Sequence, residues 1–187
     1  LDLLTHESLP MTGPGRASNG NLHLTGIHLD LFEPGVDQGR AATIARATAD
    51  FNQPDWGIEH ALGSDPMKGW GIHPEEGKPH HAVFELSEPL SMAAGSKLVV
   101  TLKQTHGRSH LIGAFRLSVT AEEASLAIAL PSDVESVLRT PPSKRTHEQQ
   151  LTLAATALRV AAETELSKLP VASKVFAAGP AVMIPAG

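Results

Sequence analysis

Residues 82–86 read Ala82-Val83-Phe84-Glu85-Leu86, and residues 97–103 read Lys97-Leu98-Val99-Val100-Thr101-Leu102-Lys103. Residues 110–120 follow as His110-Leu111-Ile112-Gly113-Ala114-Phe115-Arg116-Leu117-Ser118-Val119-Thr120. Ala82, Phe84 and Leu86 alternate with residues of the other parity. Leu98, Val100 and Leu102 do the same against Lys97, Thr101 and Lys103. In the third segment Leu111, Phe115, Leu117 and Val119 point one way and His110, Arg116 and Ser118 the other. Period-two alternation with one wet face belongs to antiparallel sheet. Phe84, Val100 and Phe115 are therefore expected between two layers of pleated chain, and the fold class is mainly β, an antiparallel β-sandwich.

The same pattern extends upstream, with one irregularity. In the strand expected over Asn21–Phe32, Leu22 and Leu24 are apolar at even positions, and Ile27, Leu29 and Leu31 at odd ones. Gly26 sits at the change, where a β-bulge would absorb the slip. With that bulge, His23, Thr25, His28 and Asp30 all face water. Ala41–Ala49 is open to either period. Alanine favours helix, but the neighbouring strands favour a strand. Residues 51–81 form a long Gly- and Pro-rich loop with both tryptophans, Trp56 and Trp70, and long loops in compact domains are often functional.

After Thr120 the period changes. Leu126, Ile128 and Leu130 suit a last strand or a crossing segment. Ser132-Asp133-Val134-Glu135 and Thr146-His147-Glu148-Gln149 are both capping boxes. The first predicts a short helix to Arg139, stopped by Pro141-Pro142. The second predicts a long helix to Leu169, stopped by Pro170, with Leu151, Ala155, Leu158, Ala162, Leu166 and Leu169 in one apolar stripe. The expected organisation is an extended lead-in over 1–19, the β-sandwich over 20–130, a helical appendage over 131–169 and a linker or tail over 170–187.

Composition narrows the function. The chain has 187 residues, a net charge of −5 and no cysteine. Mild acidity is a poor match to nucleic acid, whose phosphates need a concentrated basic face. Without cysteine there are no disulfides, thiolate zinc sites or cysteine nucleophiles. No apolar run approaches the ~20 residues of a membrane span. The chain starts at Leu1 and ends in Ala/Pro-rich residues, and is read as a segment of a longer protein.

The ten histidines invite a metal reading. His106 and His110 have the HxxxH spacing that shares a helix face. Gly107 and the flanking strand patterns put them in a hairpin loop instead, where solvated histidines are expected. His80 and His81 point to opposite faces of a strand. His73 stands near Glu75 and Glu76. Asp65 with Glu75 or Glu76 is the nearest thing to a catalytic carboxylate pair, and nothing places the two around a bond. The chain has no Gly-x-Ser-x-Gly elbow and no phosphate loop. Trp70 is expected in the core, and Trp56, between Pro54, Asp55 and Gly57, on the surface.

Several ordered segments carry a resemblance. Gly13-Pro14-Gly15-Arg16-Ala17-Ser18-Asn19-Gly20-Asn21 precedes Gly69-Trp70-Gly71-Ile72 and Gly77-Lys78-Pro79-His80. Leu102-Lys103-Gln104 with His106-Gly107, Gly113–Thr120, Leu130–Val134 and Arg145–Gln149 follow. Together they resemble the middle region of large planctomycete proteins with cytochrome-c-like and planctomycete-specific domains. That resemblance implies an exported setting, periplasmic or extracellular, and flanking domains of the same chain as partners. A second likeness joins Ala61-Leu62-Gly63-Ser64-Asp65-Pro66-Met67-Lys68-Gly69-Trp70 to the signature of discoidin-type, galactose-binding-like domains, through Ala61, Asp65 and Trp70. It implies a jelly roll that binds poly- or oligosaccharide on its loops beside a structural calcium, here at Asp65. The resulting expectation is a non-catalytic, carbohydrate-binding-like module whose ligand residues are Trp56, His73, Arg108 and His110. The alternative is a structural spacer that orients flanking domains and takes no ligand. The longer protein could itself be an enzyme.

Overall fold

The computed structural model describes residues 1–122 and 127–167. Its seven strands are β1 (Asp2–Leu4), β2 (Gly26–Phe32), β3 (Arg40–Ala41), β4 (Ile44–Ala49), β5 (His80–Leu86), β6 (Lys97–Lys103) and β7 (Ala114–Arg116), followed by helices α1 (Ser132–Arg139) and α2 (His147–Ser167). The strands form two antiparallel sheets, ordered β4-β5-β1-β7 and β3-β2-β6. The mainly-β expectation holds, with two sheets and a C-terminal helical segment. The chain divides into two compact units, one over Leu1–Glu135 and one beginning at Ser136.

In the first unit β6 has the expected alternation, with Leu98, Val100 and Leu102 turned inward and the odd positions exposed. The 41–49 segment is strand, split into β3 and β4. Three expectations fail here. Residues 1–19 are not merely a lead-in, because β1 lies inside the four-stranded sheet between β5 and β7, with Leu3 fully buried. Gly26 carries no bulge, since β2 pairs with β6 in unbroken register from Gly26↔Lys103 to Phe32↔Lys97. The phase change lies just upstream, where residues 21–25 are covered on both sides. Leu24 exchanges bonds with Trp70, His23 donates its N–H to the His110 carbonyl, and Thr25 donates to Lys103. His23 and Thr25 are buried, not wet, for that reason.

The third failure is the strand expected over 110–120. It shrinks to β7, at the sheet edge, and the opposite parity faces inward. Ile112 is buried, while Phe115 is 49% exposed and Leu111, Leu117 and Val119 are exposed with it. Alternation gave the phase of this segment but not the covered face. Of the expected inner trio, Phe84 packs on the core and Val100 is half-buried.

The core itself comes largely from outside the strands. Leu22, Leu24, Ile58, Ala61, Trp70, Ile72 and Ile112 join Leu3 and Ala82. Ile58 and Ala61 sit on a 3₁₀ turn, Ile58–Leu62. Trp70 is fully buried, as expected, and its indole N–H donates to the Phe51 carbonyl at 2.9 Å. Burying an indole with its polar atom bonded gives a large apolar gain without an orphaned donor. The 51–81 loop thus supplies four of the nine buried core residues, Ile58, Ala61, Trp70 and Ile72. Buried Asn21 ties it down: its Oδ1 accepts the Ile72 N–H at 3.0 Å and its Nδ2 donates to Gln53 Oε1 at 3.0 Å.

Leu126 lies outside the described residues, and 127–130 form no strand; the Ala129 N–H donates to Thr48 Oγ1 instead. Helix α1 ends at Arg139 as expected, but it starts at Ser132 itself. The Glu135 N–H bonds to the Pro131 carbonyl, so the helix begins one residue early and Ser132 lies inside its first turn. The box on α2 is complete: Thr146 N–H reaches Gln149 Oε1 at 3.0 Å, and Gln149 N–H reaches Thr146 Oγ1 at 3.2 Å. Leu151, Leu158 and Leu166 of the apolar stripe are exposed on α2. Leu169 and the 170–187 tail lie outside the described residues.

Candidate functional site

Three segments of the first unit meet at one corner. The first is residues 21–25, leading into β2. The second is the turn at Gln53–Trp56, with Pro54 followed by Asp55 at φ +66°, as a type II turn requires. It is held to Gly71 by two backbone bonds of 3.0 Å. The third is the loop after β6, rooted by Thr25, whose Oγ1 accepts the Thr105 N–H at 3.1 Å. Its tip, Gly107-Arg108-Ser109, has φ of +88°, +50° and +58° in succession. Left-handed backbone at Arg108 and Ser109 costs about 1–2 kcal/mol each. This left-handed run reverses the loop, and His106 and His110 turn back onto His23.

The result is a stack. His23 lies 4.3 Å from Trp56 and 4.7 Å from His110, with interplanar angles of 3° and 13°. His106 stands edge-on to all three rings, at 4.0 Å from His23 and 5.1 Å from Trp56 and from His110. The Lys68 ammonium lies 5.2 Å from the Trp56 ring centre. Gly71 permits the approach: a Cβ there would lie 3.0 Å from His23 Cδ2 and 2.6 Å from Gln53 Oε1.

Three polar atoms in this stack are unmet. His23 is 4% exposed, yet neither of its ring nitrogens has a hydrogen-bond partner, and neither has His106 Nδ1. An orphaned buried donor or acceptor costs about 1–3 kcal/mol. Burial pushes the His23 pKa down to about 4, aided by His106 and His110. Burial also lowers His106, with His110 and Arg108 adding to it. At neutral pH His23 is an uncharged imidazole with a free lone pair. His110 differs in that Nδ1 donates to the Gly107 carbonyl at 3.1 Å, which leaves the lone pair on Nε2.

His80 shows what a satisfied buried histidine looks like. Nδ1 pairs with Asp50 Oδ2 and Nε2 with the Glu75 carbonyl, each at 2.9 Å. Both partners are acceptors, so the ring carries two protons. Burial alone would lower its pKa, but the Asp50 and Glu75 contacts outweigh that and raise it. Its work is structural, joining β5 to Asp50 and to the 73–77 turn.

The expected ligand residues divide. Trp56 and His110 belong to the stack, and Arg108 sits on the exposed tip between the two loop histidines. His73 does not join them; its Nδ1 pairs with Glu76 at 2.9 Å on the surface. Asp65 is exposed and its Oδ1 accepts the Met67 N–H at 2.9 Å, closing a turn. Calcium takes six to eight oxygens, and Asp65 is the one carboxylate of 61–70, beside Lys68, so these side chains do not fit that ion. Among the described residues no three histidine, aspartate or glutamate side chains stand converged on a metal-sized point. A cleft of about 240 Å³ lined by Arg40, Thr43, Ser87 and Glu88 shares no residue with the stack.

His23 and His106 were missed by sequence reasoning. A bulge at Gly26 would put His23 on the wet face, and the hairpin spacing predicts a solvated loop position for His106. The available signal was weak: a histidine between Leu22 and Leu24, and two more straddling a glycine turn. No helix among the described residues is long and apolar enough to cross a membrane. No family model, curated protein or solved structure matches the chain.

Proposed function

We propose that this chain is a non-catalytic binding module, a jelly-roll-type sandwich that takes a carbohydrate-like ligand at the Trp56, His23, His106 and His110 corner. One observation carries the reading. His23 is buried with both ring nitrogens unmet, inside a ring stack assembled by a strained loop. Folding alone gains nothing from orphaned polar atoms and left-handed side-chain residues, and such features gather at binding and catalytic sites. The ligand class follows from the exposed periphery. A partly buried indole edge, the His110 ring and the Lys68 and Arg108 cations offer an apolar surface ringed by donors, which suits a polyhydroxylated ring. In the exported setting that the sequence resemblance implies, the module presents this corner on behalf of its flanking domains.

A spacer without ligand is the second reading. It is favoured by the stack's own completeness, since His23 already covers one face of Trp56. A glycan array probed with the intact chain separates the two. Binding that Trp56→Ala abolishes supports the module. A blank array removes the carbohydrate assignment and favours the spacer.

A further inference from the structure

We propose that the ring corner is an acid-released latch: uncharged histidines hold the loop after β6 onto residues 21–25, and the loop lets go when His23 takes a proton. As a control on ligand binding this rests on the corner being the ligand site; as an acid response of the fold it does not.

The latch is assembled from three histidines in ring contact. His23 lies 4.0 Å from His106 and 4.7 Å from His110, and those two lie 5.1 Å apart. A proton on any one ring faces two others able to take the same charge. The charged side chains nearest the rings do not offset it. Arg108 on the loop is a cation, and so is Lys68, which lies over Trp56. Lys103, at the end of β6, lies against Gly26. Asp55 and Asp65, on the adjoining turns, are exposed, and Glu59 pairs with His60 at 3.8 Å. The histidine–carboxylate pairs among the described residues fall on His60, His73, His80 and His81. A protonated His23 would also bury two N–H donors without an acceptor, because neither ring nitrogen has a partner.

The anchoring decides which side gives way. Leu22 and Leu24, on either side of His23, are fully buried. Leu24 exchanges backbone bonds of 3.0 and 2.9 Å with Trp70, on the core side. The His23 N–H is bonded to the loop instead, at the His110 carbonyl, 3.0 Å away. The loop tip is exposed and left-handed at Arg108 and Ser109, so release also relieves strain. Burial, with His106 and His110 beside it, holds the His23 pKa at about 4 against an ordinary 6.5, so a proton favours the released ring by up to ~300-fold. Burial lowers His106 in the same direction. Because the folded value is the lower one, the latch is fully made at neutral pH and weakens as pH falls from 6.5 towards about 4.

The test is amide hydrogen exchange of the intact chain, read by NMR at pH ~7 and pH ~4.5 and corrected for intrinsic rates. Protection of the His23 N–H should fall by about 10- to 50-fold in acid, while Leu24, bonded to Trp70, changes less than about threefold. His23→Phe keeps a flat ring without a titrating nitrogen and should make protection at position 23 nearly independent of pH. His106→Gln keeps His23 and should shrink the fall at least twofold; it decides the matter if His23→Phe fails to fold. Unchanged His23 protection, a fall shared equally by Leu24, or a fall that survives both substitutions overturns the latch. Glycan binding, measured on the same array at both pH values, should weaken in acid. An opening latch with a blank array keeps the acid response and removes the ligand site. Glycan binding with unchanged His23 protection keeps the ligand site and removes the latch.

Discussion

His23 and His80 are both buried, and their surroundings send them opposite ways. His80 faces two acceptors and holds both protons, whereas His23 faces aromatic walls and holds one. For His80 the folded pKa is raised, so its stabilising contribution is present below the unfolded value and is lost as pH rises through the folded one. Asp50→Asn should therefore cost more stability below pH ~6.5 than at pH ~9, read as urea midpoints across that range. An equal loss at both ends would contradict a doubly protonated His80. For His23 the expectation concerns the unmet nitrogens. His23→Leu removes two orphaned polar atoms for an apolar group of similar size and should stabilise the chain by about 1 kcal/mol in urea. A loss above that amount would show that the ring is satisfied in the folded state.

At the scale of elements, legibility followed coverage. The β6 pattern could be read because a strand paired to one neighbour and covered on one face leaves a clean alternation. The segment 21–25 misled because it is covered on both sides, so its polar residues are inside as well. β7 misled because parity is symmetrical until something sits on one face; Ile112 and Phe115 look alike in sequence, yet the first is buried and the second half exposed. The helix starts divide in the same way. Thr146→Ala should cost about 1 kcal/mol, because that cap is made on both sides, whereas Ser132→Ala should cost close to nothing. Denaturation of the two variants checks the contrast. The strained loop yields a further expectation: Arg108→Gly relieves a left-handed backbone and should stabilise by about 1 kcal/mol. The ring corner was half legible. Trp56, Arg108 and His110 could be singled out from turn chemistry, but their partner His23 comes from a different segment, and only the tertiary fold brings the two together.

For the molecule as a whole, the long loop is a wall of the core and not an ornament. Trp70→Phe removes the indole bond to Phe51 and leaves a void, and should cost about 2–4 kcal/mol, read as a lowered urea midpoint. A neutral result would place the core elsewhere. The general class was readable because two sheets of alternating strands leave a signature in any order. The strand order was not, since β1 is too short to announce itself. Its position has a consequence for the chain's birth. Asp2–Leu4 leave the ribosome before the strands that flank them, and those strands, starting at His80 and Ala114, are made last among those of their sheet. Strand β1 must wait for most of the unit to be synthesised, so the four-stranded sheet closes late.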